Sequence, residues 1–364
     1  NPDLVYGLKA GMVIKIKKLD EGYVKKTGDA LKVILMLPFG FDSNDSKYRS
    51  MAADFLSGAQ LAIERNAGKG LEMDVKVVDA GNEKSFRNSL TQINQNNTDL
   101  IIGPFFKSNI IEVLDFVHDQ KIPVIAPFAN SEDLYGYSNL VIMETADQIY
   151  ADGIDKEISK KYSNEKIYIL SDTDSGSLAE YLKSKLEKSL KKPEIKIVNS
   201  AADIQADTNM MTGQSAPITA VLASTDAALG KAFTGRVVEL AEQIPGTRAY
   251  SLFYTPSFDS NTNGLSAAGL VYLMDRKVNT DGTFEKEILA AYKNKYCKVP
   301  PRFAIIGFDT VNDILSRENK KGEVLKKMGT SQTQLATKFE YARPRNGGAY
   351  VNTGYRIVRL IPEN

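Results

Sequence analysis

The chain has 364 residues, 43% of them hydrophobic and 25% charged, with 46 Lys and Arg against 45 Asp and Glu. That balance excludes a disordered, collagen-like or membrane-embedded chain, and a formal charge of +1 gives no broad attraction to nucleic acid or anionic lipid. The length suits two lobes, each with its own core; the single Cys297 excludes an internal disulfide and any Cys-based metal site, while saying nothing of compartment. There is no run of about 18 apolar residues able to span a bilayer. The lysine clusters at 15–18 and 188–192 have acids nearby and read as solvated faces.

Residues 1–17 read as a turn followed by a short alternating strand, too small to bury a core alone. The polar, glycine-containing segment 18–30 reads as a linker. From Leu31 the pattern changes. Val33–Leu37 is a continuous apolar run, as in a strand covered on both faces, and Met51, Phe55, Ala59, Ala62 and Ile63 follow at helical spacing.

The cycle then repeats. Strands are predicted at Asp74–Val78, Leu100–Ile102 and Val124–Ala126, with helices at Lys84–Gln95 and along Ile110, Val113, Leu114 and Val117. A second set has strands at Ile167–Leu170, Ile195–Val198, Ala220–Ala223, Ala249–Phe253 and Leu270–Leu273. Its helices carry Leu178, Leu182, Leu186 and Leu190, then Ala232–Gln243. Such alternation implies right-handed βαβ crossovers and parallel sheets. The last third predicts helices at Phe284–Tyr296 and Phe308–Leu315. An antiparallel pair, Thr337–Ala342 with Gly354–Leu360, is expected around the turn that starts at Arg343.

Ile101-Ile-Gly-Pro-Phe-Phe-Lys-Ser108 and Lys121-Ile-Pro-Val-Ile-Ala-Pro-Phe-Ala-Asn-Ser131 together resemble the type I periplasmic binding proteins, nearest the branched-chain amino-acid-binding branch. The opening strand Val33–Leu37 and the closing strand Tyr355–Leu360 match in position, so the resemblance covers about residues 31–362. It implies a two-lobed α/β fold of parallel, doubly wound sheets joined by several crossover strands. The N-terminal lobe would be 31–146 plus 279–332, and the C-terminal lobe 147–278 plus 333–364. Residues 1–17, with Asn1-Pro2 and Gly7-Leu8-Lys9-Ala10-Gly11, resemble the end of a LysM repeat. This implies peptidoglycan-binding repeats upstream and a cell-envelope protein of the Bacteroides type, periplasmic or attached to the outer membrane, a lipoprotein anchor being one means of attachment.

In such folds ligands bind in the crevice at the carboxyl ends of the strands, where helix N-termini offer free N–H groups. The strand-end turns give the candidate contacts Phe106, Lys107 and Ser108; Phe128, Ala129 and Asn130; Ser175; Asp226; and Tyr254 with Ser257. The family resemblance implies a hydroxyl at Lys107, with Ser108 next to it, and another at Asn130. It implies an aromatic at Ser175 and an acid after Phe253, where Asp259 is the nearest. The amino-acid set is therefore not intact. Lys107 either holds an anionic ligand or is an exposed lysine at a helix start. Phe106 and Phe128 either line the cleft or pack it shut, and Asp226 is either a ligand partner or a helix cap.

Nothing points to catalysis. His118 is the only histidine and sits far along a helix, so no Ser-His-Asp arrangement or His-rich metal site can form. Cys297 has no visible partner, no phosphate-binding glycine loop is present, and the run from Asp172 to Gly176 lacks the further ligands of a calcium loop. The expectation is a non-enzymatic module without cofactor that captures a small polar ligand, amino-acid-like or anionic. The alternative is a scaffold or regulator of peptidoglycan synthesis that keeps the fold, binds an envelope partner protein and holds no small molecule.

Overall fold

The computed structural model describes residues 30–41, 47–81, 86–318 and 323–361; the LysM-like segment and nearly all of the linker lie outside them. The first sheet contains β1 (Leu31–Leu37), β2 (Met73–Asp79), β3 (Leu100–Ile102), β4 (Val124–Ala126) and β5 (Leu140–Ile142). It is interleaved with α1 (Arg49–Gly68), the single turn α2 (Arg87–Leu90) and α3 (Lys107–Phe116). The second is built from α4 (Asp147–Ser159), β6 (Lys166–Leu170), α5 (Gly176–Ser189), β7 (Ile195–Val198), β8 (Ile218–Leu222), α6 (Ala227–Gln243), β9 (Arg248–Ser251), α7 (Thr262–Ala267) and β10 (Val271–Met274). Then come α8 (Thr283–Tyr296), α9 (Arg302–Arg317) and the short strands β11 (Gln332–Thr333), β12 (Lys338–Phe339), β13 (Tyr341–Ala342), β14 (Tyr350–Asn352) and β15 (Arg356–Arg359).

Strand order is β13-β14-β5-β4-β3-β1-β2 in one sheet and β15-β10-β9-β8-β6-β7 in the other. Within these two sheets all pairings are parallel except β13 with β14 and β15 with β10, and β11 and β12 form a separate antiparallel pair. Both faces of each sheet are covered, as the apolar runs require. In β1, Val33, Leu35 and Leu37 feed one core while Ile34 and Met36 feed the other. In β6, Tyr168 and Leu170 face one side and Ile167 and Ile169 the opposite one.

Three expectations need correction. The segment 333–364 does not all join the second lobe, because β13 and β14 complete the first sheet and only β15 adds to the second. The hairpin around the Arg343 turn is accordingly β13 with β14, and the final strand pairs with β10 instead. The helix expected at Lys84–Gln95 is described only as the single turn at Arg87–Leu90, followed by a 3₁₀ turn at Gln95–Asn97.

The chain thus passes between the lobes three times, at 143–146, 275–282 and 353–355. Lobe 1 is closed by α9, which starts directly after Pro300-Pro301 and packs along α1. Two glycines permit that approach. A Cβ on Gly58 would lie 1.8 Å from the carbonyl oxygen of Ala304, and one on Gly307 would lie 2.1 Å from that of Phe55. Asn66 seals the far end by donating to Asn312.

Farther along α9, Asp313 and Arg317 form an ion pair with both side chains fully buried. Arg317 also donates to the carbonyls of Lys327 and Thr330, and Tyr341 donates its hydroxyl to Asp313 while its ring faces the guanidinium. Removing one partner of such a pair leaves a buried charge uncompensated. Arg317→Leu is expected to lower stability by about 3–5 kcal/mol in urea unfolding. Gly307→Ala forces a methyl group against backbone and is expected to cost about 1–3 kcal/mol in the same measurement, more than Gly235→Ala on the open face of α6.

Candidate functional site

The carboxyl ends of the parallel strands, and the N-termini of the helices that follow them, lie along the edges of the two sheets that the crossovers join. Two adjoining cavities occupy this cleft. One, about 650 Å³, lies on the second lobe between the turns after β6 and β8 and the starts of α4 and α5. The other, about 440 Å³, lies on the first lobe against the turn after β4 and the first crossover. They share Asp147 and Gln148 in the first turn of α4.

The sequence-predicted residues divide. Ser175 and Asp226 line the larger cavity; Phe128 and Asn130 line the smaller. Phe106 caps the start of α3 with its ring edge-on to Tyr48, 4.8 Å between centroids. Lys107 lines neither cavity and pairs with Asp133, whose carboxyl it holds below the usual range. The lysine therefore ties the turn after β3 to the turn after β4. Ser108 donates to Asn109, and Ala129 packs against the core of lobe 1.

Tyr254 and Ser257 also line neither cavity. The Tyr254 ring packs with Phe258 and Tyr272, its hydroxyl donates to Asp259, and that bond pushes its pKa up to about 12. Ser257 bonds with Thr234 and donates to the Gly230 carbonyl. Ser257 thus locks the turn after β9 onto α6, while Tyr254 ties that turn to itself and to β10.

The polar groups that do face the cleft are held firmly. Asn130 donates to the Glu144 carbonyl and accepts from the Tyr135 hydroxyl, each within 2.8 Å. Phe128 belongs to a ring cluster with Phe105 at 4.6 Å and Phe303 at 6.0 Å, so it serves as wall and core together. Asp226 is the N-cap of α6, accepting from Leu229 at 2.7 Å, so its reading as a helix cap holds, and it lines the cavity as well. Asp172 accepts from the hydroxyls of Ser175 and Ser224 and from the Ser175 N–H. The close Ile-Gly-Pro turn after β3 needs Gly103, at φ +89°, where a Cβ would sit 2.2 Å from the Met36 carbonyl oxygen.

Of the acids in the lining, sequence reading had singled out Asp226 alone as a candidate contact. Asp147, Asp172, Asp174 and Asp226 line the larger cavity and Glu132, Glu144 and Asp147 the smaller, and no Lys, Arg or His is among the lining residues described. The positive ends of α4, α5 and α6 offset part of this charge, each by roughly half a unit. The apolar run Leu140-Val-Ile-Met143 was the available signal for β5, and with it for Glu144 and Asp147 just beyond its end. Among the described residues no group of His, Cys, Asp and Glu is arranged to hold a metal ion, and no helix is long and apolar enough to cross a membrane.

With that geometry in place, comparison with solved structures is informative. The chain is similar to a putative branched-chain amino acid ABC transporter protein from Rhodospirillum rubrum, at TM-score 0.68 and 14% identity over 92% of this chain and 98% of the other. It is similar to an ABC transporter substrate-binding protein from Desulfitobacterium hafniense in complex with Leu, at 0.51 and 14% over 91% and 97%. It is also similar to full-length LpoA from Haemophilus influenzae, at 0.58 and 12% over 92% and 60%. No protein-family model and no curated protein matches. The fold is that of the two-lobed type I periplasmic binding proteins, and at these identities the likeness extends to the fold alone.

The two best-placed acids are expected to titrate apart. Its hydrogen bonds with Ser175 and Ser224 bring Asp172 down from 3.8 to about 2, while burial raises Asp147. Carboxyl-detected NMR should find Asp172 ionised at every pH above about 3, with Asp147 protonating first as acid is added. The stability that Asp172 contributes is present above its unfolded value of 3.8 and is lost as the pH falls through about 2.

Proposed function

We propose that the chain is a cell-envelope solute-binding module that captures a small polar ligand in the interlobe cleft by closing its lobes. One observation selects the ligand's charge: the cavity lining carries six carboxylates, Glu132, Glu144, Asp147, Asp172, Asp174 and Asp226, and no basic side chain among the described residues. Burying an anion there would leave like charges facing each other, whereas a protonated amine gains charge-assisted hydrogen bonds. Lys107, for which the sequence left open an anion contact or an exposed lysine at a helix start, is engaged by Asp133 outside the lining. The ligand is therefore a compound bearing at least one amino group, an amino acid derivative or an amine, and the Tyr181 and Phe253 rings supply apolar wall beside the acids. Closure follows because contacts with both lobes are made only in the closed state. On this reading LysM repeats upstream, of which residues 1–17 resemble the end, would tie the module to peptidoglycan in the periplasm or at the outer membrane.

A second reading, a non-transport scaffold or regulator of peptidoglycan synthesis, is favoured by the lobe-1 turns. There Asn130 and Lys107 spend their polar groups inside the protein and Phe128 packs into the ring cluster. The likeness of fold to LpoA is compatible with it.

Thermal unfolding against amino acids, amino acid amides, diamines, dicarboxylates, nucleobases and peptidoglycan fragments separates these readings. Cationic compounds are expected to raise the melting temperature, the gain reaching about 2.7 kcal/mol at a hundredfold excess over Kd. A response to dicarboxylates alone would reverse the charge assignment, and no response from any compound would favour the scaffold.

A further inference from the structure

Glu144 has two surroundings at once. It lies on the first crossover, immediately after β5, and forms part of the smaller cavity's wall. Its Oε1 also accepts from the Arg276 guanidinium on the second crossover, 2.7 Å away, with 12% of the arginine side chain and 23% of the glutamate exposed. Glu144 is fixed through its backbone too, since its carbonyl accepts from Asn130.

Arg276 is held from behind by lobe 1. Its other terminal nitrogen reaches Asp275, and its backbone bridges to Thr337 while Lys277 donates to Ala336. The stretch 335–337 is in turn clamped by the fully buried Asp309 on α9, which accepts from three backbone N–H groups and the Thr337 hydroxyl at 2.7–3.1 Å. The third crossover joins through Thr145, which donates to the Gly354 carbonyl at 2.7 Å. Among the described residues, Glu144 is the cavity-lining carboxylate whose ion-pair partner lies on a different crossover.

We propose that Glu144 is a ligand-contacting residue and that Arg276 is its positioning residue, so that one carboxylate links occupancy of the lobe-1 cavity to the angle between the lobes. The assignment rests on the reading of the cleft as a site for a ligand with an amino group. An amine bound at the cavity shares Glu144 with Arg276, and any change in the angle between the crossovers moves the carboxylate relative to the bound group. Affinity and hinge angle are then two readouts of one contact.

The test has two arms on the full chain with Cys297→Ser. First, spin labels at Asp119→Cys in lobe 1 and Lys231→Cys in lobe 2 report the interlobe distance without any added compound. Arg276→Met and Glu144→Gln are each expected to broaden the distribution. The double variant should be no broader than the wider single one, and Arg276→Lys should restore most of the original width. Glu144→Gln is nearly isosteric and keeps the measurement valid if Arg276→Met does not fold. Unchanged widths in both single variants, or additive broadening in the double variant, overturn the hinge role.

Second, cadaverine is titrated into the wild type, Glu144→Gln and Arg276→Met. It is expected to raise the wild-type melting temperature and narrow its interlobe distance, with more than half of both responses lost in each variant. An equal response in Glu144→Gln overturns the contact. No response in the wild type overturns the amine assignment, and the distance arm still decides the hinge role by itself.

Discussion

The arrangement depends on one constraint: the chain crosses between the lobes three times, and every crossing runs along the edge where the parallel strands end. A parallel sheet puts its strand termini, and the starts of the helices that follow, on a single edge. Two such sheets joined at that edge by three connections bring strand-end turns of both lobes to a common cleft. The residues at the crossings are consequently both linkers and walls. Glu144 and Thr145 connect the lobes and line the smaller cavity, while Asp147 and Gln148 open the first helix of lobe 2 and line both cavities. The crossings are tied to one another and to lobe 1 by Glu144–Arg276, Thr145–Gly354 and the Asp309 clamp.

Charge in the cleft reflects a contest between backbone and side chain. Helix N-termini alone would make it a site for anions. Here several of those termini carry their own carboxylate. Asp147 opens α4, Asp226 caps α6 and Asp172 binds the turn that starts α5. Three half-charges do not cancel the full charges of the acids, so the sign that a ligand meets is set by side chains. The serine hydroxyls on Asp172 strengthen this by keeping that group ionised well into acid.

Much of the architecture was legible because it rests on local pattern. The continuous run Val33–Leu37 has the composition of a strand buried on both faces, and the leucines at 178, 182, 186 and 190 have a helix period. What escaped depends on pairing between distant segments. β13 and β14 are two and three residues long, and nothing local in Tyr341–Ala342 says that it borders the first sheet. β5 is three residues long and was passed over, and with it Glu144 and Asp147. The start of α9 at Arg302 was missed because its first two turns lie close against α1, at Gly58 with Ala304 and at Gly307 with Phe55, a contact between distant segments. At the site, strand-end logic located Asn130, Ser175 and Asp226, since any residue there must lie near the cleft. It could not distinguish a side chain facing the cavity from one such as Ser257 that bonds back to its own lobe.

The fit of α1 against α9 bears on how the molecule is assembled during synthesis. Asn66 and Asn312 touch across a sequence separation of 246 residues, and the core on the α1 side of the first sheet is completed by residues from 288 onward. When the ribosome has made β1 to β5, that face carries α1 but still lacks α8 and α9, and the flank of α1 that α9 will cover is open. The middle segment from α4 to β10 is contiguous and lacks only the edge strand β15. Long-range closure of this kind is slow, and domains that are complete earlier condense first. The nascent chain therefore reverses the order of its lobes: the half encoded second matures first, and the half encoded first waits, with an apolar flank that chaperones can recognise, for the last third to emerge.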